Sequence, residues 1–141
     1  MKRRVLFLCT GNSARSQMAE ALLREMAGDR FEAFSAGTQP EAEVHPLAVR
    51  VMEEARIDIR EAVAKDVSRF AGEPFDLVVT VCDQARESCP VLPGARRQEH
   101  WGFEDPAAAE GREEERLVVF RRVRDQIQTR LEEWLSETNA G

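Results

Sequence analysis

RVLFLCTGNSARSQMAEALL, residues 4–23, passes through three kinds of chain in twenty positions. Residues 4–8 are an apolar, strand-forming run. Residues 10–15 are a short polar turn with one glycine. From Ser16 onward Met18, Leu22 and Met26 recur every four residues beside Ala19 and Leu23, a helical face that Gly28 closes. A strand, a tight turn and a helix in that order form the opening unit of an α/β fold.

The rest of the chain repeats the alternation. FEAFSAG, residues 31–37, reads as a second strand ending in a turn. Residues 45–55 place Leu47, Ala48, Val51 and Met52 at helical spacing, and 61–70 is a weaker helical stretch. FDLVVTV, residues 75–81, is the clearest strand, apolar on both faces, and 96–101 reads as a short edge strand. The tail is one long helix with an apolar stripe of Leu117, Phe120, Ile127, Leu131 and Trp134, after a solvated acidic stretch at 107–115. Strands that alternate with helices imply a parallel sheet covered on both faces. The expectation is α/β: a three-layer sandwich with a four-stranded parallel sheet, residues 1–141 forming a single domain.

Composition narrows the function. The formal charge of −6 argues against general nucleic-acid binding. No run of apolar residues approaches the length of a membrane span, and the basic start leads into a strand with no leader-type cleavage site, so a cytoplasmic protein is expected. Three cysteines in such a chain suggest chemistry more than a structural bridge.

Open parallel sheets bind ligands beyond the carboxyl ends of their strands. Cys9 follows the first strand, Cys82 ends the third and Asp105 lies shortly after the fourth, so the topology brings all three to one edge. The loop between them and the first helix has an oxyanion-binding design. Thr10, Gly11, Asn12, Ser13, Ala14, Arg15 and Ser16 surround a helix N-terminus, where backbone N–H groups lack intrahelical partners and the dipole is positive. Gly11 permits close backbone approach, and Arg15 adds a bidentate clamp on two oxygens. That field, with a hydrogen bond from Ser16, favours thiolate at Cys9, an activated nucleophile aimed at a bound tetrahedral anion. A buried cysteine with a surface arginine is the bland alternative. Neither glycine pattern of a dinucleotide or Walker-type loop is present.

At CTGNSARS, residues 9–16, and EDP, residues 104–106, the chain resembles the low-molecular-weight protein tyrosine phosphatase superfamily over essentially its full length. The resemblance implies Cys9 as nucleophile, Arg15 with the loop amides as transition-state stabiliser, and Asp105 as general acid. Asp105 as a plain turn residue before proline is the competing reading. VVTVCDQARESCPVLPG, residues 78–94, and EHWGFEDPA, residues 99–107, further resemble the thioredoxin-coupled arsenate reductases of that superfamily. What this implies is a relay: Cys9 attacks arsenate, Cys82 attacks Cys9 and releases arsenite, and Cys89 then forms a Cys82–Cys89 disulfide that thioredoxin reduces. Phosphate and sulfate would be analogues of arsenate, no cofactor is needed for the chemistry, and a monomer is expected. Some relatives bind potassium behind the loop, and the matching oxygen donors here are Asn12, Glu20, Ser35 and Asp66.

Other readings of these residues stay open. Cys82 suits a core position at a strand end, whereas loop residues surround Cys89. Zinc held by Cys82, Cys89 and His100 has the wrong spacing for the common sites. A helix over 82–89 would separate the two Cα atoms by roughly 10 Å, against about 5.5 Å in a disulfide, so a helical reduced segment must unwind on oxidation. His45 precedes Pro46 at a helix start, and neither it nor His100 has an evident catalytic partner. The chain has no tyrosine, and Ala107, Ala108 and Ala109 follow Asp105–Pro106, so a phosphotyrosine ring finds little to stack on. A small inorganic oxyanion loses nothing. The alternative functions are a phosphatase working through a Cys9 phosphoenzyme, and a module that binds the oxyanion without reacting.

Overall fold

The structure, a computed structural model, describes residues 2–82 and 93–140. Strand β1 (Arg3–Cys9) leads into helix α1 (Arg15–Ala27), followed by β2 (Phe31–Gly37) and α2 (Pro46–Glu54). Strands β3 (Leu77–Thr80) and β4 (Gln98–His100) precede the long helix α3 (Glu113–Ala140). The sheet is parallel throughout in the order β2-β1-β3-β4. This is the expected α/β fold, with β1 paired on both edges, between β2 and β3, and its residues from Val5 to Cys9 buried on both faces.

Strand alternation divides the core in two. Val5, Phe7 and Cys9 point to the side where α1, α2 and α3 pack, against Met18, Leu23, Met52, Phe120, Ile127 and Leu131. Leu6 and Leu8 point to the other side, where Phe70, Phe75 and Val78 cover them. Each fully buried large side chain of this kind contributes about 1.5–3 kcal/mol. A chain of rings, Phe7–Trp101–Trp134–Phe31, ties the β4 end and α3 to the sheet at centroid distances of 4.9–6.2 Å. No helix among the described residues is long and apolar enough to cross a membrane.

Two expectations are corrected. The helix expected over 61–70 is a 3-10 turn at Val67–Phe70, preceded by irregular chain. Long-range bonds consume the backbone groups a helix would need: Val63 O accepts from Gln17, Lys65 N–H donates to Asn12 and Lys65 O accepts from Gly37 N–H. The third strand is also shorter than residues 75–81. Phe75 pairs only through an isolated bridge to Ala95, and β3 stops at Thr80. Cys82 therefore sits two residues past the strand end. Cys89 and the rest of residues 83–92, with the expected rearrangement of 82–89, lie outside the described residues.

Candidate active site

Cys9 is the last residue of β1, 4% exposed, and its thiol is free. The six residues that follow turn back over it because their carbonyl groups are anchored from outside. The carbonyls of Cys9, Thr10, Gly11 and Ser13 accept from the N–H groups of Thr38, Gln39, Glu41 and His45, at 2.9–3.2 Å. The Asn12 carbonyl accepts from Gln17 Nε2 at 3.2 Å. Since the C=O and N–H of a planar peptide point in opposite directions, a loop whose carbonyls are drawn outward turns its amides inward. Asn12 adopts the left-handed region, φ 49°, where asparagine is tolerated. Gly37, at the end of β2, lets the loop settle on the sheet: a Cβ there would lie 2.4 Å from the Thr10 carbonyl oxygen.

Helix α1 begins at the loop's end with no side-chain cap and no acidic residue in its first turn. Its N-terminal donors and positive dipole end are thus left for a ligand. A cavity of about 130 Å³ opens there, lined by Cys9, Gly11, Ser13, Arg15, Asp105 and Glu41 among others. It is sized for a small tetrahedral anion.

The Cys9 sulfur accepts the Asn12 N–H at 3.1 Å and lies 2.8 Å from Ser16 Oγ. Asn12 Nδ2 donates to Ser16 Oγ at 2.8 Å, which leaves the serine proton free to point at sulfur. Asn12 Oδ1 in turn accepts from Lys65 N–H and Gln17 Nε2 at 2.8 and 3.0 Å. The nucleophile's lone pairs are thereby oriented by a continuous chain of donors.

Arg15 is 4% exposed, and its Nη1 donates to the carbonyls of Val81 and Phe103 at 3.5 and 3.3 Å. Its Nη2 lies 3.9 Å from Asp105 Oδ2. Asp105 Oδ1 caps the turn Pro106–Ala108 through Ala107 N–H, the turn role considered for it, while Oδ2 faces Arg15 beside the cavity. Cys9, Arg15, Asp105 and residues 10–16 therefore converge as the topology required. Cys82 is 2% exposed and disulfide-bonded. It follows Val81, whose N–H donates to Leu8 O, so it stands beside the β1 end.

The residues matched to potassium come together only in part. Glu20 Oε1 accepts from Ser35 Oγ at 2.7 Å, with Asn12 buried nearby. The Lys65 ammonium lies 3.7 Å from that same Glu20 oxygen and 3.4 Å from Ser35 Oγ. Burial pushes this ammonium below the usual lysine range, against the opposing pull of Glu20. Asp66 turns its carboxylate to cap Ser68 N–H at the surface. Lys65 thus stands on two of the matched donors, and Asp66 is turned away from them.

Among the described residues no three His, Cys, Asp or Glu side chains group as a metal site. His45 caps α2 through Nδ1 and packs on the Phe120 ring, and His100 Nδ1 bonds to Thr80. Burial and the Arg116 charge hold His45 below the ordinary histidine range. Gln17, Lys65 and Glu41 line or brace the site without belonging to its sequence motif. Gln17 stands one residue past the loop motif, but Lys65 and Glu41 reach it through contacts that leave no local pattern.

The profile of the low molecular weight phosphotyrosine protein phosphatase family matches residues 4–140. An arsenate reductase of Halalkalibacterium halodurans is 46% identical over 130 residues, covering 92% of this chain and 93% of its own. Among solved structures, an arsenate reductase in the phosphate binding state superposes with a TM-score of 0.81 at 30% identity, over 96% of this chain and 98% of that one. A thioredoxin-dependent arsenate reductase of Corynebacterium glutamicum superposes with a TM-score of 0.66 at 29% identity, over 99% of this chain and 64% of that one. A sheet edge that presents a cysteine, an arginine and an aspartate to an anion-sized cavity thus comes with likeness along the whole chain, and the protein belongs to the low molecular weight phosphotyrosine protein phosphatase family, in its arsenate reductase branch.

Proposed function

We propose that this chain, acting as one domain over residues 1–141, reduces arsenate to arsenite by a thiol relay through Cys9, Cys82 and Cys89. The Cys9 sulfur attacks arsenic and displaces one oxygen, which Asp105 protonates as it leaves as water. Arg15 and the loop amides hold the remaining oxygens. Cys82 then attacks the Cys9 sulfur. A Cys9–Cys82 bond forms, the sulfur–arsenic electron pair stays on arsenic, and arsenite departs two electrons richer. Cys89 attacks Cys82, which frees Cys9 and leaves a Cys82–Cys89 disulfide for thioredoxin to reduce. The cytoplasm, whose reductants maintain thiols, is the compartment such a cycle needs, and a monomer suffices for it.

The observation that carries this reading is a free Cys9 at an anion-sized cavity together with a Cys82 already in a disulfide. That pattern is the one the relay leaves before thioredoxin acts. The chain's similarity to the arsenate reductase of H. halodurans and the thioredoxin-dependent arsenate reductase of C. glutamicum supports the reading. The test is a single turnover of the fully reduced protein with arsenate and no reductant. Loss of two thiols, a Cys82–Cys89 crosslink in peptide mass spectra and one arsenite per chain are expected. Three surviving thiols with hydrolysis of an aryl phosphate would instead establish the phosphatase reading, which the Cys9, Arg15 and Asp105 set also supports. Three surviving thiols without hydrolysis would leave an oxyanion-binding module.

The place behind the loop is assigned to the Lys65 ammonium, a tethered cation where relatives are expected to hold potassium. Replacing Lys65 by methionine is expected to lower stability by about 1–2 kcal/mol, because Glu20 loses one of its cationic partners. Thermal melts in potassium and tetramethylammonium chloride check this. The variant should be stabilised selectively by potassium and the parent should not. A parent that responds to potassium as strongly as the variant would return the site to potassium.

A further inference from the structure

Two carboxylates border the cavity, and the chemistry above uses only Asp105. Glu41 is the second. Its backbone N–H donates to the Gly11 carbonyl at 2.9 Å, and its side chain runs directly over Gly11. A Cβ on Gly11 would meet Glu41 Cγ at 3.0 Å and Oε1 at 3.6 Å. The absent side chain at Gly11 is therefore what lets this carboxylate lie against the loop. No cationic side chain among the described residues pairs with Glu41, whereas Asp105 has Arg15.

An exposed carboxylate with no cationic partner among the described residues runs counter to an anion site, since like charges brought together disfavour binding. The conflict disappears for one class of anion. Near neutral pH both prevalent forms of arsenate keep at least one As–OH group. That hydroxyl can donate to Glu41, in the short charge-assisted geometry of an O–H···O⁻ bond. A phosphomonoester dianion has no such proton. Its three terminal oxygens all carry charge, and its fourth bears the organic group.

We propose that Glu41 is a specificity-determining residue that admits inorganic oxyanions bearing a hydroxyl and disfavours phosphomonoester dianions. The assignment deepens the arsenate reading and rests on it for the identity of the favoured substrate. Inorganic phosphate carries the same hydroxyl, so Glu41 does not separate phosphate from arsenate; it separates both from esters. This also gives the chain a reason to be a poor phosphatase that is independent of its lack of tyrosine.

The experiment compares the parent with Glu41→Gln on the whole reduced protein. It measures kcat/KM for arsenate with thioredoxin, kcat/KM for an aryl phosphate, and the inhibition constant of inorganic phosphate against that ester. Removing the charge is expected to raise ester hydrolysis about tenfold, the effect of one well-placed like-charge contact, while arsenate turnover falls a few-fold. In the parent, KM for the ester should climb as its second proton is lost, around pH 6 for a phosphomonoester, and the variant should flatten that climb. Equal changes for ester and arsenate, or an unaltered pH profile, would overturn the proposal. Were the parent to make no arsenite at all, the arsenate reading would fall by itself. The ratio of ester KM to phosphate inhibition constant would then still decide the role of Glu41.

Discussion

Replacing Cys82 by serine is expected to end multiple turnover with arsenate and to leave hydrolysis of an aryl phosphate essentially unchanged. The first half follows from electron counting. Cys9 can still attack arsenic, but the two electrons that turn arsenate into arsenite appear only when a second sulfur takes the Cys9 sulfur into a disulfide. A serine oxygen forms no such bond. Turnover then depends on thiols from solution, which must reach a sulfur that is 4% exposed, and a loss of at least about a hundredfold is expected when an internal nucleophile is exchanged for a free one. The second half follows from position. Cys82 is absent from the cavity lining, and Arg15 donates to the carbonyl of Val81. Serine at a site 2% exposed also buries a hydroxyl, at about 1–3 kcal/mol if it finds no partner, so melts of Cys82→Ser and Cys82→Ala should accompany the kinetics. Arsenate turnover that survives in both variants would show that Cys9 is resolved elsewhere, and the relay as drawn would be wrong.

The contrast between Cys9 and Lys65 shows what a single sequence reveals and what it hides. The β1 strand, the loop and α1 are contiguous, and their signals are local: an apolar run, a turn residue, a four-residue repeat. Even the facing of Cys9 is readable, since it continues the odd-numbered alternation of Val5 and Phe7. Residues 31–37 form β2 with the bounds their alternation suggested. By contrast, Lys65 stands in a stretch with weak helical periodicity, and its backbone bonds to Asn12, 53 positions away. That partner competes with the helix and wins: the fully buried Asn12 amide oxygen has two lone pairs, and the Lys65 N–H takes the second beside Gln17. Glu41 is harder still. Nothing in TQPEAEVHP marks one glutamate as different from the next, and only the strand–loop lacing over Gly11 distinguishes it from Glu43. Residues that act through the sheet's topology were thus legible, and residues recruited by long-range backbone bonds were not.

Arg15→Lys is the complementary test, because it should damage both reactions at once. The guanidinium is placed by two carbonyls from different segments, Val81 after β3 and Phe103 after β4, and this fixes its plane against the cavity. Lysine keeps the charge but loses the fork: one ammonium cannot bond two carbonyls and still offer parallel donors to two anion oxygens. The expected loss in kcat/KM is about 10²–10³ for arsenate and for an aryl phosphate alike, the cost of removing one preorganised donor from a developing charge. Most of it should fall in kcat, since negative charge on the equatorial oxygens is better matched by the fork in the transition state than in the bound ground state. The inhibition constant of inorganic phosphate, which reports the ground state, should rise far less. A loss confined to KM would mean that Arg15 only attracts anions to the loop. A loss confined to arsenate would mean that Arg15 serves a step after the first attack, for instance by holding the Val81 carbonyl so that Cys82 stays beside Cys9. Equal losses in both reactions place its action in the step they share, attack by Cys9 on the central atom of a bound tetrahedral anion.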